Sequence, residues 1–81
     1  MVFTWYIILV NRFWQIDGER LRRIRKDRLL TQVELSKMTG VAQDSISALE
    51  TGKREAHPGT IGKLAKALGV NPRDLIKEQE Y

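Results

Sequence analysis

Apolar residues recur at helical spacing through most of the chain. Residues 32–49 read Gln-Val-Glu-Leu-Ser-Lys-Met-Thr-Gly-Val-Ala-Gln-Asp-Ser-Ile-Ser-Ala-Leu. Leu35 and Met38 lie three apart, as do Ile46 and Leu49, so each pair shares one helix face. Gly40 stands between the pairs, where a helix end commonly needs positive φ and glycine adopts it readily. Val41 is placed to plug the gap between two helices, and Ser36 is small enough for a close crossing. The pattern predicts two short helices joined by a tight turn, the second running from about Gln43 to Thr51.

The flanking segments continue this rhythm. Asp17 is a good N-cap, and Leu21, Ile24, Arg25 and Arg28 form one helical stripe behind it. Thr31 with Glu34 reads as a capping box, which opens the next helix and puts Gln32 in its first turn. The cap position before Gln43 holds Ala42, which lacks a side-chain acceptor, a loss of about 1 kcal/mol against Ser or Thr. Gly52 ends that helix. Pro58 opens a fourth with Ile61, Leu64, Ala65 and Leu68 as its buried stripe. Gly62 weakens it by about 1 kcal/mol against Ala. Gly69 closes it, and Val70 covers the corner. Asn71, Pro72 and Asp74 start a fifth helix, anchored by Leu75 and Ile76. These signals predict an all-α, compact five-helix bundle over residues 17–78, with residues 79–81 as a tail. Such a unit, with its own caps and stripes, is expected to fold without residues 1–16.

Residues 1–16 follow another pattern. Phe3, Trp5, Tyr6, Phe13 and Trp14 leave only Tyr81 among the aromatics outside this stretch, and Arg12 is its one charge. Residues 1–10 form an uncharged run rich in β-formers. The run is shorter than the roughly 20 apolar residues that a membrane helix needs, and it lacks the basic start and small-residue site of a signal peptide. An apolar N-terminal extension is therefore expected. Three readings fit it: a segment docked on the domain, a self-association arm, or a tail outside the fold. As an arm, it would offer Phe3, Trp5 and Tyr6 to a protein partner.

The outward face of the Gln43 helix carries candidate chemistry. At about 100° per residue, Gln43, Asp44, Ser47, Ala48 and Thr51 fall on one side and Ile46, Leu49 and Glu50 on the other. Short amide, carboxylate and hydroxyl groups suit base edges. A solvated surface usually carries Lys and Glu at i, i+4. An ordinary solvated face is the competing reading. Two helices about a glycine turn, with a short-chain polar face on the second, match a DNA-binding helix-turn-helix. Lys53 and Arg54 follow Gly52 at once, placed to grip a sugar-phosphate backbone.

Composition adds modestly to this. A chain of 81 residues means one domain with a small core. There is no cysteine, so neither disulfides nor thiolate metal sites are available, which suits a reducing cytoplasm. The net charge of +4 favours a polyanionic partner. Arg20, Arg22, Arg23, Lys26 and Arg28 make the first helix strongly basic, mostly as a solvated face. No metal-ligand cluster, phosphate-binding glycine loop or nucleophile elbow appears, so no enzyme, metal or cofactor is expected. His57, the only histidine, sits beside Pro58 and reads as a surface or capping group.

Several segments together carry a family resemblance: Leu21-Arg22-Arg23-Ile24-Arg25, Leu30-Thr31-Gln32-Val33-Glu34-Leu35, Gly40-Val41, Ser45-Ile46-Ser47-Ala48-Leu49-Glu50, Gly52-Lys53-Arg54 and Leu64-Ala65-Lys66-Ala67-Leu68-Gly69-Val70. In them the chain resembles the Xre-type, phage-repressor-like (Cro-like) helix-turn-helix family. The resemblance implies a five-helix bundle that binds double-stranded operator DNA, often as a homodimer, and regulates transcription. It implies base contacts from Gln43, Asp44, Ser47 and Ala48, and backbone contacts from Gln32, Thr51, Lys53 and Arg54. It also implies a buried ion pair between Arg25 and Glu50 that ties the first helix to the recognition helix. An antitoxin-like or coactivator-like interaction module on the same fold is the alternative function. Leu29 departs from the family, which often has glycine there. Asp44 turns a negative charge toward a polyanion, either to accept from a cytosine amino group or to weaken binding.

Overall fold

The computed structural model describes residues 14–77. Expectations about residues 1–13 and 78–81 lie outside the described residues. The described chain is helical: α1 (Gly18–Asp27), α2 (Gln32–Thr39), α3 (Gln43–Glu50), α4 (Pro58–Leu68) and a 3-10 turn (Pro72–Leu75). The expected fifth helix is thus a single 3-10 turn. Its cause is the next residue: Ile76 is extended and bridges antiparallel to Ile16, which draws the chain out of helical geometry.

The predicted helix starts are built as their side chains suggest. Asp17 accepts the Arg20 amide at 3.2 Å. Thr31 and Glu34 form a reciprocal capping box, with 3.0 Å from the Glu34 amide to the Thr31 hydroxyl and 3.0 Å from the Thr31 amide to the Glu34 carboxylate. Ala42 makes no side-chain cap bond at the start of α3. His57 caps α4, its Nδ1 accepting the Gly59 amide at 3.1 Å.

Three helix ends share one solution. After α3, the Gly52 amide donates to Leu49 O and the Lys53 amide to Ala48 O. After α4, Gly69 and Val70 do the same to Lys66 O and Ala65 O. After α1, Leu29 and Leu30 donate to Lys26 O and Arg25 O. Each is a Schellman end, which places one residue in the left-handed region. Glycine holds that place at 52 and 69 with φ of 76° and 70°, but at α1 the residue is Leu29 with φ of 58°. The departure noted in the sequence therefore leaves the turn geometry intact and forces a leucine to adopt it.

The core is one cluster. Leu21, Leu35, Ile46, Leu49, Ile61, Leu64, Leu68 and Leu75 are fully buried, and each such side chain contributes about 1.5–3 kcal/mol. One residue of the α2 stripe lies at the surface, and one expectation, the assignment of Ile16, is corrected. Met38 is 55% exposed, because it sits at the rim between α2 and α4 beside Lys63, Lys66 and Ala67 while Leu35 fills the interior. Ile16, assigned to the extension, is buried in the core, and Trp14 packs against it. Residues 14–17 are clamped on two sides. Trp14 and Ala56 exchange both backbone bonds at 2.7 and 2.8 Å, the Lys77 amide donates to Gln15 O at 2.9 Å, and the Asp17 amide to Leu75 O at 2.8 Å. No described helix is long and apolar enough to cross a membrane.

Candidate nucleic-acid interface

α3 is held from behind so that one face stays outside. Arg25 on α1 donates through Nε to Glu50 Oε2 at 2.7 Å and through Nη2 to Oε1 at 3.0 Å. Its Nη1 donates to Leu30 O at 2.7 Å, so the same guanidinium also fixes the α1–α2 corner. Both side chains are almost sealed from water, at 8% and 3% exposure. The Glu50 hydrogen bond raises the Arg25 pKa above its ordinary value, against the opposing pull of burial. Fork-to-carboxylate geometry of this kind fixes orientation as well as energy.

Two further features set α3 that the sequence reading missed. Gly18 faces the last carbonyls of α3, and a Cβ there would overlap the Leu49 and Glu50 oxygens. Glycine at this position lets α1 approach the end of α3 directly. Gln32 is the second: its Nε2 donates to Glu50 Oε1 at 3.1 Å, which makes it a third partner of the buried pair. The expected phosphate-contacting side chain is thus anchored toward α3. Its backbone lies in the first turn of α2, where amides have no helical partner. The turn between α2 and α3 is closed by Gly40, with φ of 76°, and by the Thr39 hydroxyl, which donates to Leu35 O at 2.8 Å and accepts from the Val41 amide at 3.1 Å.

The remaining expected contacts divide by position. Gln43 and Asp44 are exposed at the start of α3, Ser47 and Ala48 are half-buried along it, and Thr51 is exposed at its end. The structure thus brings these five together along one side of a single helix. The Thr51 hydroxyl donates back to Ser47 O at 3.0 Å. Lys53 is exposed just past Gly52, where the Schellman end fixes its backbone. Arg54 behaves differently: its Nη1 donates to the Ser45 hydroxyl at 2.6 Å, back along the flank of α3. No group of three or more His, Asp or Glu able to hold a metal occurs among the described residues.

The helix-turn-helix family model HTH_3 matches residues 21–75, most of the chain. The chain belongs to this helix-turn-helix family. Among its relatives, the HTH-type transcriptional repressor RghR of Bacillus subtilis is 42% identical over 65 residues, covering 79% of this chain and 48% of RghR. The chain therefore spans about half the length of that relative. The P22 c2 repressor, solved in complex with a synthetic operator, superposes with a TM-score of 0.72 at 37% identity over 80% of this chain and 98% of that one. The restriction-modification controller protein C.AhdI of Aeromonas hydrophila superposes with a TM-score of 0.70 at 36% identity, covering 73% and 89%. The phage-repressor resemblance read from the sequence is thereby shown.

Proposed function

We propose that this chain is a sequence-specific DNA-binding regulator of transcription, repressor-like, which places α3 in the major groove. One observation carries the reading. The short polar side of α3, from Gln43 to Thr51, faces outward while Gly18, Arg25 and Glu50 hold its other side rigidly. A helix so fixed presents side chains to base edges with little conformational freedom left to lose on binding. Gln43, Asp44, Ser47 and Ala48 are the base readers in this proposal. Backbone amides at Gln32 and the side chains of Thr51, Lys53 and Arg54 meet phosphate. The names of RghR and of the operator-bound P22 repressor support the assignment. Such a protein acts in the cytoplasm, as a homodimer on a palindromic operator whose half-sites lie about one helical turn apart.

Selection of bound sequences from random duplex DNA, followed by affinity measured against salt, tests the reading. A preferred sequence with a steep salt slope supports it. Equal affinity for all duplexes counts against sequence-specific regulation. A chain that binds no DNA at all instead supports the alternative, a protein-interaction module of antitoxin or coactivator type. The uncharged run containing Phe3, Trp5 and Tyr6 favours that second reading, because its apolar composition suits a protein partner.

A further inference from the structure

Arg54 does not extend away from the helix it follows. The Schellman end at Gly52 reverses the chain, and the Arg54 side chain then runs back beside α3 to donate to Ser45, nine residues earlier, at 2.6 Å. Arg54 and Ser45 line one surface depression with Val41, Leu49 and Ala56.

The place of Ser45 around the helix gives this bond its meaning. At about 100° per residue, Ser45 lies roughly 60° beyond Ala48, on the edge between the outward face and the core face. Gln32 meets α3 at Glu50, roughly 140° away on the opposite edge. A helix in the major groove has a phosphate strand along each side. The two edges of α3 are therefore lined unequally. One has Gln32 and the first turn of α2. The other has the Arg54 guanidinium, held back along the flank by a serine hydroxyl, with Glu55, His57 and Thr60 lining the same depression.

We infer that Ser45 is a positioning residue for DNA binding, whose hydroxyl holds the Arg54 guanidinium along the flank of the recognition helix where the second phosphate strand passes. The inference rests on the proposed phosphate contact of Arg54. Ser45 itself reads no base. An arginine keeps spare N–H donors after one hydrogen bond, so the Ser45 bond leaves the fork able to take a phosphate oxygen.

A double-mutant cycle tests it. Affinity for the selected duplex and for a scrambled duplex is measured across salt concentrations for the full chain, S45A, R54A, the double variant and S45T. The expected result is that S45A weakens both duplexes equally, by about two- to tenfold, with a small decrease in salt slope. S45A should have no further effect once Arg54 is removed, and S45T should restore binding. Thermal unfolding of S45A should match the parent, which separates positioning from folding. If R54A leaves affinity and slope unchanged, the phosphate reading of Arg54 fails and the inference with it. If R54A weakens binding but S45A does not, or S45A acts equally in both backgrounds, the positioning role alone is overturned. A change in base preference for S45A would make it a direct reader and overturn the inference too.

Discussion

Arg25 and Glu50 lie 25 residues apart in the chain and meet through two hydrogen bonds, at 2.7 and 3.0 Å, in a site almost closed to water. Gln32 adds a third bond to the same carboxylate. Three helices are therefore joined at one group. Glu50→Ala would leave the guanidinium buried and the Gln32 amide unpaired. We predict a loss of about 3–5 kcal/mol, a large part of the stability of so small a domain. Chemical denaturation followed by circular dichroism measures it. A loss below about 1 kcal/mol, the size of a surface pair, would show that the site is wetter than its geometry implies.

Leu29 is held at φ of 58° with 89% of its surface exposed. Its side chain adds nothing to the core, and the left-handed conformation costs a leucine roughly 1–2 kcal/mol. Leu29→Gly removes that strain but frees the unfolded chain, which returns part of the gain. We predict a net stabilisation of about 0.5–1 kcal/mol. A higher thermal midpoint with unchanged DNA affinity is the expected readout. A lower midpoint would mean that Leu29 makes contacts worth more than the strain.

The Thr31 backbone N–H, and after it the Thr31 side chain, hold the Glu34 carboxyl below its ordinary value of 4.5. A depressed folded-state pKa stabilises the fold fully above the unfolded value. That contribution is lost as pH falls through the lower folded value. The stability difference between the parent and Glu34→Gln should therefore be constant above pH 4.5 and shrink below it. Denaturation series at several pH values check the trend. A difference that grows toward acid would contradict the capping role.

These residues also show what was legible in the sequence and what was not. Asp17, Thr31, Glu34, Gly40, Gly52 and Gly69 act on neighbours within a few residues, so local patterns located them correctly. Arg25 and Glu50 came through the family resemblance, since no local pattern links positions 25 apart. The misses are also non-local. Ile16 is core because Ile76 and Ala56 bracket its segment, and the fifth helix shortens for the same pairing. Met38 shares a helix face with Leu35 but sits at the rim beside Lys63, Lys66 and Ala67 of α4, a boundary that periodicity does not contain. At the site, spacing located the outward face of α3. It gave no sign that Gln32 and Arg54 are held by Glu50 and Ser45, nor that Gly18 admits α1 to the end of α3.

Gln43 and Lys53 separate base reading from backbone grip. Gln43 is exposed at the first turn of α3, and its amide can bond adenine N6 and N7 together. Gln43→Ala should cost about 1–3 kcal/mol on the preferred duplex and relax preference at one base pair. Lys53→Ala should weaken all duplexes alike and reduce the log–log salt slope by roughly one. Binding curves on preferred and scrambled DNA distinguish the two. Equal losses for Gln43→Ala on both duplexes would remove it from the base readers.

The last prediction concerns where the folded unit begins. Periodicity and the Asp17 cap suggest a start at residue 17, but Ile16 is only 3% exposed and Trp14 is paired through its backbone with Ala56. A chain beginning at Asp17 would leave a cavity where Ile16 sits, worth about 2–5 kcal/mol by analogy with Ile-to-Ala changes. It would also strip the backbone partners of Ala56 and Lys77. Ala56 lies two residues beyond Arg54, so the loss reaches the segment proposed to grip DNA. We therefore predict that a chain starting at Trp14 unfolds near the parent midpoint, while one starting at Asp17 unfolds several kcal/mol earlier and binds DNA more weakly. Ile16→Ala in the full chain should reproduce most of the stability loss without removing residues 1–13. Sedimentation of the Trp14 chain then isolates residues 1–13. If self-association falls there while stability holds, the aromatic run is an association arm. If it does not, the dimer interface belongs to residues 14–77 or the tail beyond them. Equal stability of the Asp17 and Trp14 chains would show that the two backbone clamps contribute nothing measurable.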